Sequence, residues 1–234
     1  MGGNEVAEMK GQTVVVTGAN RGLGLEFSRQ LQSLGAEVIA TARDPRAAID
    51  LRALQVRIEP LDVSDAESVE SFANRLAHVD IDILINNAGM GGSGNGVGSL
   101  DFSELERFFS VNSLGPLRVT RALLSNLRRG KGRRIVHVTS KMGSLSENTE
   151  GGYYGYRTSK AALNMIHRCL AAELAGQGFV SVALHPGWVR TGMGGNHAPL
   201  SPRESVRGLL GVIARLQRED NGRFLDYTVA ELPW

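Results

Sequence analysis

The chain has 234 residues, 42% of them hydrophobic and 21% charged, which suits one large globular domain with a substantial core. Its formal net charge of +2 gives no strong attraction to nucleic acid or to a membrane surface, so neither partner is expected. A single cysteine, no run near the ~20 apolar residues of a membrane-spanning helix and no apolar signal core in residues 1–6 together predict a cytoplasmic protein.

Short apolar runs alternate with longer amphipathic segments along the chain. The apolar runs predict strands at residues 13–17, 37–42, 56–60, 81–86, 134–139, 180–185 and 222–225. Helical periodicity predicts helices at residues 23–34, 46–54, 66–76, 102–127, 154–175 and 201–217. Runs such as Val14-Val15-Val16 are apolar enough to be buried on both faces, as in parallel strands. The alternation predicts an α/β fold, a doubly wound parallel sheet in a single domain spanning residues 1–234.

A glycine-rich turn follows the first predicted strand and leads into the first helix. Residues 17–24 read T-G-A-N-R-G-L-G, which offers main-chain amides and a helix N-terminus to a phosphate group. Phe27 stands where the third glycine of G-x-G-x-x-G would fall, and no Gly-Lys-Ser/Thr follows. A phosphate site is therefore predicted, and a tight turn that merely needs glycine is the alternative. A second glycine-rich stretch, residues 89–98, is interpreted as a loop beyond the fourth strand, where open α/β sheets bind ligands.

Tyr156 and Lys160 lie four residues apart within a predicted helix, so they share one face. A phenol has an ordinary pKa near ~10, too high for proton transfer at neutral pH. A cation one turn away favours the phenolate and would lower that pKa, as general acid–base chemistry requires. The pair alone has a plain alternative, because tyrosine and lysine occur at this spacing by chance on many helices.

Three motifs in order resemble the short-chain dehydrogenase/reductase family: T-G-x-x-x-G-x-G at 17–24, N-N-A-G at 86–89 and Y-x-x-x-K at 156–160. The likeness extends from about residue 12 to the end of the sequence. It implies a Rossmann fold of about seven parallel strands with helices on both faces, and a nicotinamide cofactor. Residues 185–195 and 221–227 look most like the C-factor and sniffer-type carbonyl reductase branch.

The resemblance also bears on the choice of cofactor. At the end of the second strand, Ala42 stands where family members that use NAD carry an acid. Arg43 follows, and its guanidinium suits the 2′-phosphate of NADP. Arg21 in the glycine turn is a second cation there, whereas Asp44 lies beyond the usual acid position. NADP(H) is the predicted cofactor.

Further cofactor contacts follow from matched positions. Asp62 would accept from the adenine amino group, with a helix-capping role as the alternative. Val189 and Thr191 would bind the nicotinamide carboxamide through main-chain groups and a hydroxyl. The predicted cofactor-binding residues are Gly18, Asn20, Arg21, Gly22, Leu23, Gly24, Arg43, Asp62, Val63, Asn86, Ala88, Gly89, Tyr156, Lys160, Pro186, Gly187, Val189 and Thr191.

Ser140 closes the predicted fifth strand, where the family has a serine that polarises the substrate carbonyl. It stands 16 residues before Tyr156, more than usual, and Gly143 occupies the commoner position. A short insertion within residues 141–152 would explain the spacing. Ser144 and Ser146 remain alternatives, and Ser140 is preferred because strand ends are rigid.

Asn112 precedes Pro116 in the helix predicted at 102–127. Proline has no amide hydrogen to donate four residues back, which frees the Asn112 carbonyl. The resemblance implies that this carbonyl holds a water leading to Lys160; an ordinary kink or a helix break is the alternative. The predicted catalytic residues are Asn112, Ser140, Tyr156 and Lys160, and no metal is expected because the five histidines lack metal-ligand spacing.

In the mechanism that the resemblance implies, Tyr156 supplies the proton and Ser140 stabilises the developing oxyanion. Lys160 would lower the Tyr156 pKa and position the nicotinamide ribose. The implied activity is the NADPH-dependent reduction of a small ketone or aldehyde beneath a short lid at about residues 190–205. The rival interpretation is an NADP-binding regulatory or signalling protein with incidental catalysis. A dihydropteridine-reductase-like enzyme is a further possibility that Arg43 disfavours, because that branch prefers NADH.

Family members commonly pair through the helices predicted here at 102–127 and 154–175, so a dimer or tetramer is expected. Leu163, Ile166 and Leu170 could serve either that interface or the core. The basic run at 128–134 is interpreted as a solvated loop at a helix end, and Cys169 as a packing residue.

Overall fold

The computed structural model describes residues 8–92 and 96–234. Residues 1–6, which bear on the signal-sequence prediction, and residues 93–95 of the glycine-rich loop lie outside the described residues. Seven strands form one sheet within them. The strands are β1 (Thr13–Val16), β2 (Glu37–Ala42), β3 (Arg57–Pro60), β4 (Ile83–Asn86), β5 (Arg134–Val138), β6 (Val180–His185) and β7 (Phe224–Asp226).

All neighbouring strands of the sheet are parallel, in the order β3-β2-β1-β4-β5-β6-β7. The predicted doubly wound parallel sheet is therefore confirmed. The strand order reverses between β1 and β4, so the loops that follow these two strands diverge. They leave a crevice at the carboxyl edge of the sheet. Open α/β sheets bind their ligands in that crevice.

Eight α-helices connect the strands in the described part of the chain. Asp65 accepts a hydrogen bond from the Glu67 amide at 3.0 Å and caps α3, while Ser201 and Glu204 form a capping box at α8. The cap at Asp65 leaves Asp62 without that role. The helices are α1 (Gly22–Ser33), α2 (Ile49–Arg52), α3 (Ala66–Arg75), α4 (Phe102–Phe109), α5 (Gly115–Ala122), α6 (Leu124–Arg129), α7 (Tyr154–Leu174) and α8 (Pro202–Arg215).

The single helix predicted at 102–127 is wrong, because the chain there forms three helices and a π-helical turn at Ser110–Leu114. The cause is Pro116, which cannot donate to the carbonyl four residues back. The Gly115 amide bonds the Ser110 carbonyl, five residues back, and this widens the helix just before the proline. Asn112 lies at the centre of that turn.

Two apolar layers enclose the sheet, and the alternation of strand side chains explains both. Val14 and Val16 face the layer formed with α1 and α8, where Phe27 is fully buried. Val15 faces the opposite layer under α3, α5 and α7, beside Phe72. Burial of a side chain of this kind stabilises the fold by about 1.5–3 kcal/mol, so the strand ends that carry the site are rigid. No helix in residues 8–92 or 96–234 is both long and apolar enough to cross a bilayer.

Candidate active site

The glycine turn is tied to the loop that follows β4. Gly18 has φ +65, and a β carbon there would lie 2.8 Å from the Cα of Ala88. Asn87 donates from its side chain to the carbonyls of Thr17 at 2.9 Å and Gly18 at 3.1 Å. In return, the Thr17 hydroxyl accepts from the amides of Asn87 and Ala88 at 3.0 and 2.9 Å. These bonds fix the turn, and Asn87 is a residue that the sequence reasoning did not select.

The N-terminus of α1 opens onto the same turn. The side chain of Arg21, the residue before the helix, makes no capping hydrogen bond, and both Asn20 and Arg21 are exposed. The first amides of the helix therefore face the crevice without a side-chain partner. Thr191 approaches from the far side, where its methyl group would lie 3.5 Å from a β carbon at Gly22. Uncapped amides with room for an anion between two loops fit a phosphate group.

Arg43 and Asp62 stand together at the ends of β2 and β3. Burial tends to raise the Asp62 pKa, but hydrogen bonds from the Ser64 hydroxyl and amide, together with the charge of Arg43, lower it overall. The Ser64 hydroxyl donates to Asp62 at 2.6 Å. Arg43 is exposed, so its guanidinium is accessible beside this carboxylate. The arrangement brings together the two residues predicted for the adenosine end of a dinucleotide.

Asn86 does not present its side chain to the crevice. It is 2% exposed, and its amide nitrogen donates to the Thr120 hydroxyl at 3.1 Å and lies 3.4 Å from His137 Nδ1. Strand alternation explains this, because the last residue of β4 points into the layer that contains α5. Any contact between Asn86 and a cofactor would have to come from its main chain.

Ser140, Tyr156 and Lys160 meet at the carboxyl edge of β5. Ser140 caps a short 3₁₀ turn, and its hydroxyl accepts from the Met142 amide at 3.1 Å. Burial raises the pKa of Tyr156, and a hydrogen bond to the Ser140 side chain partly offsets that rise. Lys160 is 5% exposed, with its nitrogen 5.9 Å from the centre of the Tyr156 ring. A phenol, a hydroxyl and an ammonium group thus share one pocket.

The predicted lowering of the Tyr156 pKa by Lys160 is wrong in this structure. The lysine nitrogen donates to the carbonyl of Val138 at 2.9 Å rather than approaching the phenol. Burial of the ring outweighs the other influences, and the group that lowers the Tyr156 pKa is Ser140. A phenol with a raised pKa stays protonated at neutral pH but is a weaker acid than an ordinary tyrosine, so the interaction with Ser140 is the influence that favours proton donation.

Burial lowers the pKa of Lys160 itself to about 8, from an ordinary value of 10.5. That shift corresponds to a cost of about 3 kcal/mol for keeping the lysine charged inside the fold at neutral pH. The unfolded chain keeps this proton to a higher pH than the folded one. The cost therefore disappears as the pH rises from about 8 to 10.5, and the free energy of unfolding increases over that window.

Lys160→Met should therefore be more stable than the wild type at pH 7, by about 1–2 kcal/mol after loss of the bond to Val138. The gain should disappear and reverse its sign by pH 10, because the wild type is stabilised by about 1.4 kcal/mol per pH unit above pH 8 as Lys160 loses its proton. Urea unfolding midpoints at the two pH values measure both effects. Lys141→Met is the matched control, since Lys141 is exposed and paired with Glu147 at 2.7 Å. A Lys160→Met protein less stable than the wild type at pH 7 would contradict the argument.

Asn112 connects the π-helical turn to the reacting groups. Its side-chain oxygen accepts from the Met90 amide at 2.8 Å, and its nitrogen donates to the Met90 carbonyl and the Ser159 hydroxyl, both at 3.0 Å. A β carbon added at Gly89 would lie 3.3 Å from the Asn112 oxygen and 3.7 Å from the Lys160 nitrogen. Asn112 therefore binds the loop after β4 to α7, directly beside Lys160.

The alternative serines occupy other places. Ser144 is buried, and its hydroxyl donates to the main-chain oxygen of Trp234 at 3.0 Å. Ser146 is exposed on the loop that follows. The hydrogen bond to Tyr156 belongs to Ser140 alone among the three.

The loop after β6 folds over the crevice and is organised by its own hydrogen bonds. The main chain of Arg190 donates to the Leu200 carbonyl at 2.8 Å, and the Trp188 indole donates to the Gly194 carbonyl at 2.8 Å. Ser205 on α8 donates to the Pro186 carbonyl at 2.6 Å and anchors the start of the loop. Val189 is buried, whereas Thr191 lies against the glycine turn.

The basic run at 128–134 and Cys169 lie outside the crevice. In the basic run at 128–134, Arg129 pairs with Asp80 at 2.7 Å and Arg133 donates to the Gln177 carbonyl at 2.8 Å, so these cations hold loops together. Cys169 is exposed, and the prediction that it packs in the core is wrong. No cluster of three or more potential metal ligands occurs in the described part of the chain.

Comparison with known proteins adds independent findings. A family model described as short chain dehydrogenase matches residues 12–199. The C-signal protein of Myxococcus xanthus is 52% identical over 166 residues, which cover 71% of this chain and 100% of that protein. NADPH-bound carbonyl reductase from chicken fatty liver superposes with a TM-score of 0.90 at 34% identity, covering 96% of this chain and 100% of that one. Carbonyl reductase Sniffer of D. melanogaster has a TM-score of 0.91 at 30% identity, again over 96% of this chain and 100% of its own.

Proposed function

The chain belongs to the short-chain dehydrogenase family, and on that premise we propose that it is an NADPH-dependent oxidoreductase that reduces a small ketone or aldehyde to an alcohol. The observation that carries the proposal is the cluster of Ser140, Tyr156 and Lys160. A protonated phenol and a hydroxyl hydrogen-bonded to it stand at the edge of the crevice. That pair can bind and protonate a carbonyl oxygen.

The glycine turn supports a dinucleotide cofactor. The amides at the start of α1 would bind the pyrophosphate, and Asp62 with Arg43 would hold the adenosine end, the arginine pairing with a 2′-phosphate. Val189 and Thr191 would hold the carboxamide of the nicotinamide. The chicken carbonyl reductase, similar over nearly the whole chain, is NADPH-bound. A reduced nicotinamide supplies the hydride when it is bound.

The protein's own groups do the rest of the chemistry. The Ser140 hydroxyl donates a hydrogen bond to the carbonyl oxygen and stabilises the negative charge that develops there. Tyr156 gives its phenolic proton to the same oxygen. Lys160 binds the ribose hydroxyls, and the free carbonyl of Asn112 holds the water that returns a proton. The loop at about residues 190–205 acts as a lid that excludes bulk water.

A second candidate function comes from the C-signal protein, whose sequence is 52% identical over its whole length. This candidate for the present chain is an NADP-binding regulatory or intercellular-signalling protein whose catalysis is incidental. The two candidates share the cofactor site and differ in whether the reacting groups are used.

NADPH oxidation against a panel of small aldehydes and ketones separates the two functions. We expect turnover with at least one carbonyl compound, and much slower turnover with NADH. NADPH binding is measured in parallel through the quenching of tryptophan fluorescence. Tight binding with no turnover on any member of the panel would favour the signalling function, and failure to bind either nucleotide would contradict both.

We also propose that the protein forms a homo-oligomer through the face that contains α4, α5 and α7. Leu163 is 1% exposed and serves the core, whereas Ile166 and Leu170 are partly buried. Phe102 and Leu114 are 71% and 42% exposed and line the same surface groove, and they supply apolar surface for a second copy. Gel filtration measures the oligomeric state directly.

A further inference from the structure

The segment from Thr139 to Ser144 carries the reacting hydroxyl of Ser140 and is fixed from one side by α7. Asn164 on that helix accepts from the Thr139 hydroxyl at 2.7 Å and donates to the Gly143 carbonyl at 3.3 Å. Gly143 packs closely on the same helix, since a β carbon there would lie 2.8 Å from the carbonyl carbon of Lys160. A small displacement of this segment would therefore move Ser140.

From the other side, one residue distant in sequence holds the end of the segment. The main-chain oxygen of Trp234 accepts from the Ser144 hydroxyl at 3.0 Å and from the Leu145 and Ser146 amides at 2.5 and 3.3 Å. Ser144 lies 90 positions earlier in the chain. Because this one oxygen accepts three hydrogen bonds, it fixes the end of the turn that begins at Ser140.

The indole ring of Trp234 keeps that oxygen in place. It stacks on Phe224 with ring centres 5.2 Å apart and on His167 at 6.0 Å, and both partners are fully buried. The guanidinium of Arg168 lies 5.8 Å from the ring. Phe224 lies on β7 and His167 on α7. The position of the Trp234 oxygen is therefore set by the sheet and this helix rather than by the loop.

Beyond this anchor the loop has little to hold it. Residues 145–151 are all exposed, and the ion pair between Lys141 and Glu147 is on the surface, where such pairs contribute little. Without the Trp234 oxygen, the Ser144 end of the segment would keep its local turn bonds, such as that from the Ser144 amide to the Lys141 carbonyl at 3.0 Å, and the contacts of Gly143 with α7.

We propose that Trp234 and Ser144 are positioning residues that hold Ser140 against Tyr156. The proposal rests on the proposed function only in that Ser140 is taken to act on the substrate. Trp234 and Ser144 act by fixing the position of Ser140. The Ser140 hydroxyl must stay within hydrogen-bonding distance of the phenol and of the substrate oxygen, and misplacement by a fraction of an ångström weakens both contacts.

The test uses Ser144→Ala and Trp234→Ala, with Trp234→Phe as the conservative variant and Thr149→Ala as the control. Thr149 is exposed on the same loop. We expect the first two variants to lower kcat by about five- to tenfold with the KM for NADPH unchanged. Trp234→Phe, which keeps the stacking, should restore most of the rate, and Thr149→Ala should match the wild type.

A second readout distinguishes positioning from general loss of structure. Because the Ser140 hydrogen bond lowers the Tyr156 pKa, loosening it should raise that pKa and move the alkaline fall of the reduction rate to higher pH. NMR of protein labelled at the tyrosine ring measures the same titration without turnover, with the signal assigned by Tyr156→Phe. Lys160, whose nitrogen lies 5.9 Å from the centre of the ring, is unaltered in every variant.

The outcomes separate the two proposals. If Ser144→Ala and Trp234→Ala keep both the wild-type kcat and the wild-type Tyr156 titration, while Ser140→Ala loses activity, the positioning role is overturned and the proposed function stands. If Ser140→Ala also keeps full activity, the proposed catalytic role fails. If no carbonyl compound is turned over, the NMR titration alone decides: a shift in Ser144→Ala supports positioning, and no shift overturns it.

Discussion

Tyr156→Phe is expected to lower kcat for carbonyl reduction by about 10³-fold while leaving the KM for NADPH within about twofold. The phenolic oxygen is the proton donor in the proposed reaction, and phenylalanine removes that oxygen alone. The ring would keep its edge-to-face packing on Phe108, with ring centres 6.5 Å apart, so the fold should be unchanged. Stopped-flow measurement of NADPH oxidation on a carbonyl substrate found in the panel gives the rate.

The matched control is Tyr154→Phe. Tyr154 lies at the start of the same helix and is 39% exposed, so its hydroxyl faces water. This variant should retain the wild-type rate. A Tyr156→Phe enzyme with near-wild-type turnover would contradict the assignment of Tyr156 as the acid, whatever the behaviour of the control.

The fold could be predicted from the sequence because its signals are local. Apolar runs predicted all seven strands, helical periodicity predicted a helical segment after each of the first six, and three motifs indicated the family, which the matched model and the similar structures confirm. The π-helical turn within the helix predicted at 102–127 was not predicted, because it depends on how the chain accommodates a local signal, Pro116. A proline can be absorbed by a kink or by a wider turn, and the packing of Asn112 against Met90 and Ser159 belongs to the second outcome.

The proximity of Ser140, Tyr156 and Lys160 could be predicted from the sequence, but the electrostatics of the group could not. Spacing placed Tyr156 and Lys160 on one helical face, yet it could not show that the lysine would bond the Val138 carbonyl or that burial would dominate the phenol. Asn87 and Trp234 escaped prediction for a different reason. Their partners are 69–70 and 88–90 residues away, and such pairings exist only after the sheet has assembled.

The choice of Ser140 among the three serines uses both the sequence and the structure. Its spacing from Tyr156 left three serines in competition, and sequence alone preferred it only because a strand end is rigid. The structure gives each hydroxyl a distinct environment, with Ser144 bonded to Trp234 and Ser146 in water. The linear pattern could therefore rank the three serines, but only their three-dimensional partners distinguish their environments.

Arg43→Asp is expected to lower the ratio of kcat/KM with NADPH to kcat/KM with NADH by at least about 100-fold. A charge-assisted pair with a phosphate is worth about 1.5–3 kcal/mol, and the new carboxylate adds repulsion toward the 2′-phosphate. The same carboxylate could accept from the 2′-hydroxyl of NADH, so most of the change should appear as a higher KM for NADPH. Steady-state rates with both nucleotides at a fixed carbonyl concentration give the ratio.

The control for this reversal is Arg46→Asp, which places the same charge three residues further along an exposed loop. Since Arg43 rather than Arg46 acts on Asp62, the control should shift the ratio only slightly, by long-range electrostatics that added salt screens. The Arg43→Asp change should persist at high salt because it removes a direct contact. A ratio that is unchanged in Arg43→Asp, or changed equally in both variants, would mean that this arginine does not bind the cofactor phosphate.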